Sequence, residues 1–181
     1  ALTTGQVKDL AITTVAALSS TQVNALGAAQ VAALTKVAVA ALTTGQVAGM
    51  TTTVLKALTN ESVAALTNDQ VKALTTASMA AMTTGQVKAL ESADIAVLSS
   101  AQVGALTTTQ VGVLTATQVK SLSSGALAGL TTGTVQALTS TQLSALPAAS
   151  VSALSTAQVA ALTTSQVAEM TATLVSALTT T

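Results

Sequence analysis

The sequence predicts an all-α fold: a solenoid of very short helices, one for each eight-residue repeat. Three observations predict it. The eight-residue register is unbroken, its apolar spacing suits no continuous helix or strand, and most repeats carry a helix-start signal. The phrase is plainest at Leu42-Thr43-Thr44-Gly45-Gln46-Val47-Ala48-Gly49.

The register comes first. Stepping by eight from Leu2 reaches Leu10, Leu18, Leu26 and onward to Met170 and Leu178, and all 23 positions are Leu or Met. A second series runs from Val7 through Val15, Val23 and Val31 to Val175, and all 22 positions are Val, Leu, Ile or Met. No insertion or deletion interrupts either series, which marks a repeat architecture. The chain, 1–181, is expected to be a single uninterrupted octapeptide-repeat solenoid.

The spacing excludes long regular elements. Leu to Val is five positions and Val to the next Leu is three. Both steps are odd, so a continuous strand would send the two series to different faces. A continuous α-helix fails as well, because eight residues at about 100° each overshoot two turns by roughly 80°. The chain must break and restart in each octapeptide.

The restart is written in the polar residues. The position after each Leu is Thr or Ser in 19 of 23 cases, the exceptions being Ala11, Gly27, Glu91 and Pro147. Three residues further on stands Gln in 12 of 22 cases. Thr/Ser-x-x-Gln is a capping box: the hydroxyl accepts from the N3 amide while Gln accepts from the N-cap amide. Leu42 and Val47 then occupy the N′ and N4 positions of a hydrophobic staple. One such cap contributes about 1 kcal/mol, so some twenty together rival the net stability of an ordinary domain.

Charge placement agrees. Lys8, Lys56, Lys72, Lys88 and Lys120 follow the Val series, late in the expected helix. Glu61, Asp69, Glu91 and Asp94 fall at its start, whereas Asp9 and Glu169 do not. Acids early and bases late is the order that the helix dipole favours. The expected helices are six or seven residues long. They are too short to persist alone and must bury both apolar series against neighbours. Ala fills 16 of the 23 positions before the Leu series, which predicts close approach of successive short helices. A β-solenoid is the rival reading, since Thr and Val suit strands. Against it stand the capping boxes and the abundance of Ala and Leu.

A longer period overlies the octapeptide. Gln gives way at Thr14, Val54, Asp94, Thr134 and Leu174, spaced by forty, and Gly5, Gly45, Gly85 and Gly125 share that spacing. Five octapeptides thus form a super-unit. It reads either as a duplicated block or as five helices completing a whole number of superhelical turns. Pro147 stands at an N-cap position where a missing donor is tolerated, and Ala28-Ala29 and Lys36-Val37-Ala38-Val39 are drift within the register.

Composition narrows the function classes. Half of the residues are apolar, none is aromatic and 7% are charged, so the core must be aliphatic and disorder is disfavoured. Net charge is zero and all six cations are Lys. That provides neither a basic stripe nor a stacking platform for nucleic acid. No apolar run reaches the ~18 residues of a membrane span. Ala1-Leu2-Thr3-Thr4 reads as repeat rather than as a signal peptide. The pattern also lacks the distinct polar caps that solenoids need, which predicts a segment of a longer array.

Chemistry-bearing residues are scarce. The chain has no His and no Cys, which removes the commonest bases, nucleophiles and zinc ligands. Glu91 and Asp94 are the nearest carboxylate pair and read as a variant helix start. Glu61 and Asp69 read as a solvated ledge rather than a calcium site, which wants six or more oxygens. Met50, Met79, Met82 and Met170 sit in the apolar series as core filler. Ser and Lys are present, but no spacing singles out a catalytic pair. We assign no catalytic, cofactor-binding or metal residue, no cofactor and no small-molecule substrate, and expect no enzyme.

Tandem Leu-Thr-Thr-x-Gln-Val-x-Ala resembles the repeat tracts of very large secreted or surface bacterial proteins, adhesin-like and in some cases labelled for haem utilisation. The resemblance covers the whole chain and transfers no functional residue. It implies an extracellular or cell-surface array. The haem label gains nothing from the residues, because His, Cys and Tyr are absent and Met alone remains as a usual axial ligand. The leading expectation is a structural module: a rigid spacer, stalk or filament building block. Alternatives are a binding module that uses ranks of second-position Thr (Thr4, Thr44, Thr84, Thr108, Thr132, Thr164) for ice or glycan, and a designed repeat. The low-charge surface further predicts that the chain associates with itself, laterally or end to end.

Overall fold

A computed structural model describes residues 2–178. Among them there is no strand, and every octapeptide forms one short helix. The all-α reading therefore holds and the β-solenoid does not. Eight of the described helices have the six or seven residues expected, and the others have four or five. The reason is visible at each corner: the Leu-series residue and the following N-cap are both extended, and the residue before Leu often closes the helix. Thr43 has φ −72° and ψ 157°, and Gly49, which closes the helix, has φ −85° and ψ −3°.

Two compact units divide the chain, Ala1–Leu90 and Glu91–Thr181. The first unit contains α1 (Thr4–Lys8), α2 (Ile12–Ala17), α3 (Ser20–Asn24), α4 (Ala28–Ala32), α5 (Lys36–Ala40) and α6 (Thr44–Ala48). It continues with α7 (Thr52–Ala57), α8 (Asn60–Val63), α9 (Asn68–Ala73), α10 (Thr76–Ala81) and α11 (Thr84–Ala89). The second contains α12 (Ser92–Ala96), α13 (Ser100–Gly104), α14 (Thr108–Gly112), α15 (Ala116–Ser121), α16 (Ser124–Leu127) and α17 (Thr132–Gln136). It continues with α18 (Ser140–Ala145), α19 (Ala148–Val151), α20 (Thr156–Ala160), α21 (Thr164–Ala168) and α22 (Ala172–Leu178).

Within each unit a helix packs on the helices three before and three after it. The first unit has columns α1–α4–α7–α10, α2–α5–α8–α11 and α3–α6–α9. The second has α12–α15–α18–α21, α13–α16–α19–α22 and α14–α17–α20. Three octapeptides therefore complete one turn. Five is not a multiple of three, so the forty-residue period is no whole number of turns. Of the two readings of that period, block duplication is the one compatible with this winding.

The core is the two apolar series. From Val7 to Val151 the Val series is at most 2% exposed, and from Leu34 to Leu154 the Leu series is 3–6% exposed. Met50, Met79 and Met82 are buried among them, as expected of core filler, and Met170 is half-buried. Each such side chain contributes about 1.5–3 kcal/mol on burial, which is what holds helices of five residues that could not persist alone.

The caps follow the sequence closely. A side-chain cap is absent at Ala11, Gly27, Glu91 and Pro147, the four N-caps that are neither Thr nor Ser. At the other N-caps from Thr3 to Thr171 the hydroxyl accepts from the N3 amide, as Thr35 does from Ala38 and Thr131 from Thr134. Ala11 already has N-cap backbone angles, φ −62° and ψ 143°. Ala11→Thr is thus expected to cap Thr14 and stabilise the chain by about 1 kcal/mol. It should move the urea midpoint upward at constant slope; no movement would mean that α2 frays regardless of its cap.

Candidate functional site

The residue that ties one turn to the next is the Gln of the capping box. Its carboxamide has an oxygen and two N–H groups, and the box employs only the oxygen. In the first unit, Thr43 N–H donates to Gln46 Oε1 at 2.6 Å and Gln46 N–H donates to Thr43 Oγ1 at 3.1 Å. The remaining Nε2 donates to the carbonyls of Val15 at 2.8 Å and Leu18 at 2.6 Å, in the preceding turn. Gln70 reaches Val39 and Leu42 in the same way, and Gln86 reaches Leu55 and Leu58.

The second unit repeats the arrangement. Gln142 donates to Val111 and Leu114, Gln158 to Leu127 and Leu130, and Gln166 to Val135 and Leu138. The acceptors lie 31 and 28 residues earlier in every case. All six of these Gln side chains are buried, between 1% and 5% exposed. Their hydrogen-bonding capacity is therefore filled rather than lost to burial. Ser62, which replaces Gln in α8, keeps one of the two contacts and donates to Leu34 O at 3.4 Å.

The sequence reading identified the Gln as a cap and missed this second role. The signal was present: a buried carboxamide with donors that the capping box leaves over. Asn24, also unrecognised, makes a similar link at the end of α3. Its Nδ2 donates to Gly49 O at 2.7 Å, and Thr51 N–H donates to its Oδ1 at 2.8 Å.

The charged residues occupy helix termini. Lys8, Lys56, Lys72, Lys88 and Lys120 lie in last turns, and Glu61, Asp69 and Asp94 in first turns. Asp69 accepts from Lys72 at 3.2 Å with both side chains largely exposed, a contact of little energetic weight. Glu61 is solvent-exposed and its carboxyl is held below its ordinary value. Its own backbone N–H does most of this, followed by the Thr59 hydroxyl and then the charge of Lys36. Glu61 and Asp69 stand on α8 and α9, consecutive helices on different columns. Among the described residues no group of acids is arranged to hold a metal ion, and no pocket opens.

Glu91 and Asp94 are half of a capping box. Glu91 N–H donates to Asp94 Oδ2 at 2.9 Å, while Glu91 gives no side-chain cap. Asp94 occupies the buried Gln position and is 3% exposed. Burial pushes its carboxyl above the ordinary range, the Glu91 N–H opposes the rise, and the Glu91 charge adds to it. A raised folded-state pKa favours the protonated form. Its stabilising contribution is present below the ordinary aspartate value and fades as pH climbs through the folded value. Asp94→Asn is expected to raise the melting temperature at neutral pH. That advantage should shrink on acidification to about pH 4, near the ordinary aspartate value. An advantage that does not vary with pH would show that Asp94 is ionised without penalty.

The second-position Thr residues are distributed by the three-helix turn. Thr4, Thr44 and Thr84 begin α1, α6 and α11, on the three different columns of the first unit, and Thr164 begins α21 of the second. Thr108, Thr132 and Thr156, all exposed, begin α14, α17 and α20 in a single column of the second unit. No helix among the described residues is long and apolar enough to cross a membrane.

Residues 1–36, 39–76 and 87–124 match the ALTTAQ repeat. No curated protein and no solved structure matches the chain. The matched stretches make up well over half of the sequence and carry the phrase in nearly the family's own letters, as at Ala41-Leu42-Thr43-Thr44-Gly45-Gln46. The chain belongs to the ALTTAQ repeat family.

Proposed function

We propose that the chain is a structural repeat module, serving as a rigid spacer, stalk or filament building block of an extracellular bacterial surface protein. The observation that carries this reading is how turns are joined. The Gln donors meet backbone carbonyls, which every octapeptide offers whatever its side chains, and the rest of the contact is generic aliphatic packing. A turn can be added or removed without any matched partner residue, as a length-setting element requires. The surface location follows the likeness of the repeat to tracts in large secreted bacterial proteins. On this reading the module has no catalytic role and takes no cofactor.

The test is a series of chains lengthened by 24 residues at a time. Each added turn should extend the maximum dimension in small-angle scattering by about 8–10 Å, the distance between packed helix axes. Dimensions that do not grow by a constant step would remove the spacer role. A second reading, a binding module for ice or glycan, is favoured only by the column of Thr108, Thr132 and Thr156. Thermal hysteresis in the purified chain would support its ice version, and none would discard it.

A further inference from the structure

The first two residues of each helix, N1 and N2, lie on the flank of their column rather than between turns. Thr52 and Asn60, both at N1, are exposed although a turn packs on either side of α7 and α8. In the first unit this flank is mostly small. On α1, α3, α4, α6, α7 and α10 the two positions hold Thr, Ser, Ala or Gly. The column α2–α5–α8–α11 differs. It carries Ile12, 50% exposed, and Val37, 64% exposed, followed by Lys36, Asn60 and Glu61, all exposed.

These side chains form one row. A methyl group added to Gly85, at N2 of α11, would stand 3.0 Å from the amide of Asn60, at N1 of α8. In this column an N2 side chain thus lies over the N1 side chain of the helix one turn earlier. The same step sets Glu61 beside Lys36, whose charge reaches the Glu61 carboxyl, and Val37 beside Ile12. The row therefore runs Ile12, Val37, Lys36, Glu61, Asn60, Gly85: two aliphatic side chains, a cation, an anion, an amide and bare backbone. Turned end for end about the midpoint of Lys36 and Glu61, this row is its own complement. Each charge meets its opposite, Val37 meets Asn60, and Ile12 comes over Gly85, where no side chain stands. A copy laid alongside in the same direction and register would set Lys36 against Lys36 and Glu61 against Glu61, which disfavours binding.

We propose that a second copy of this chain docks antiparallel along the α2–α5–α8–α11 flank of the first unit, about a two-fold axis between Lys36 and Glu61. The contact is isologous, so it closes at a dimer. Four stacked helices at about 9 Å spacing give an edge of roughly 300 Å², well under the ~800 Å² that each partner buries in a standard interface. A single module therefore pairs weakly, and repetition along an array strengthens the pairing. The Gln tie between turns is missing from α2, α5 and α8, where Thr14, Ala38 and Ser62 hold its position. A partner lying across these helices braces the column of the first unit with the fewest ties of its own. The proposal rests on the structural reading above and deepens it by naming the face on which two modules pair.

The test uses K36E and E61K in the 181-residue chain. Both side chains are exposed, and circular dichroism matching the parent confirms that each variant is folded. In sedimentation equilibrium the parent's mass should rise with concentration and level off at twice the monomer value. Either variant alone brings like charges together and should associate about tenfold more weakly or less. Their equimolar mixture pairs an acidic row with a basic one and should recover the dimer. I12T/V37T removes the aliphatic pair in favour of the residue that α7 carries at Thr52 and Thr53. It should also lose association, and it serves where a charge variant fails to fold. A parent that stays monomeric up to millimolar concentration overturns the proposal, as does a mass that climbs past the dimer. So does pairing that the charge variants or I12T/V37T leave unchanged, which would locate the contact elsewhere. The spacer reading is judged separately, since a monomer can still lengthen by a constant step per turn.

Discussion

Gln142→Leu is expected to destabilise the second unit by about 3–5 kcal/mol, whereas Gln6→Leu should cost about 1 kcal/mol. The two side chains make the same capping box and differ in what lies beyond it. Gln142 is 3% exposed and donates to Val111 O at 2.8 Å and Leu114 O at 2.7 Å, and its Oε1 accepts from Thr139 N–H at 2.7 Å. Leu fills a similar volume but takes away three hydrogen bonds: the Thr139 N–H and the Leu114 carbonyl lose a partner in a buried corner, while the Val111 carbonyl keeps the Leu114 N–H at 3.1 Å. Each orphaned group costs about 1–3 kcal/mol.

Gln142→Glu separates hydrogen bonding from packing. A carboxylate still accepts from Thr139 but turns a negative charge toward two carbonyl oxygens. Its folded pKa must rise above the ordinary value of about 4.3, so the penalty is absent below that pH. Above it, stability should fall by about 1.4 kcal/mol for each pH unit until the folded pKa is reached. Urea titrations of the three variants between pH 4 and pH 8 would read these effects. Equal losses at Gln6 and Gln142 would reduce the Gln to a local cap and leave the turns held by aliphatic packing alone.

What could be read from the sequence, and what could not, follows from the range of the interactions involved. The helix starts were legible because a cap acts over three residues. The hydroxyl, the N3 amide and the Gln all fall inside one octapeptide, and the absences at Ala11, Gly27, Glu91 and Pro147 transferred directly into absent side-chain caps. The core was legible for the same reason, since each octapeptide declares its own Leu and Val. The winding was not. All octapeptides look alike, so nothing local says whether α6 lies on α3 or on α1. The one long period visible, forty residues, is incommensurate with the three-helix turn.

The link from Gln46 to Val15 and Leu18 spans 31 and 28 residues and ends on backbone atoms. No side-chain pattern records it. The same limit applied to the small residues before the Leu series. The sequence suggested that they let successive helices approach, whereas the structure uses them to let successive turns approach. The Asp94 site was legible as a variant helix start, but its burial depends on the turn that the octapeptide cannot announce.

Gly129→Ala shows how tight that approach is. Gly129 follows α16 and lies over the start of α13: a methyl group added to it would stand 2.0 Å from the carbonyl oxygen of Ser100. Gly104, at the end of α13, is pressed from the other side, with its own added methyl 2.7 Å from Gly129 O. Both obstacles are backbone atoms, which have no rotamer by which to move aside, so the stacked helices α13 and α16 would have to separate. That costs about 3 kcal/mol or more, at the upper end of over-packing effects. Gly125, four residues earlier at the second position of α16, meets nothing within 4 Å. Gly125→Ala should instead stabilise the chain by about 0.5–1 kcal/mol through helix propensity and a less flexible unfolded state. Thermal melts of both variants give opposite signs if the turn spacing is set by backbone contact between α13 and α16. The same sign at both positions would place that control elsewhere.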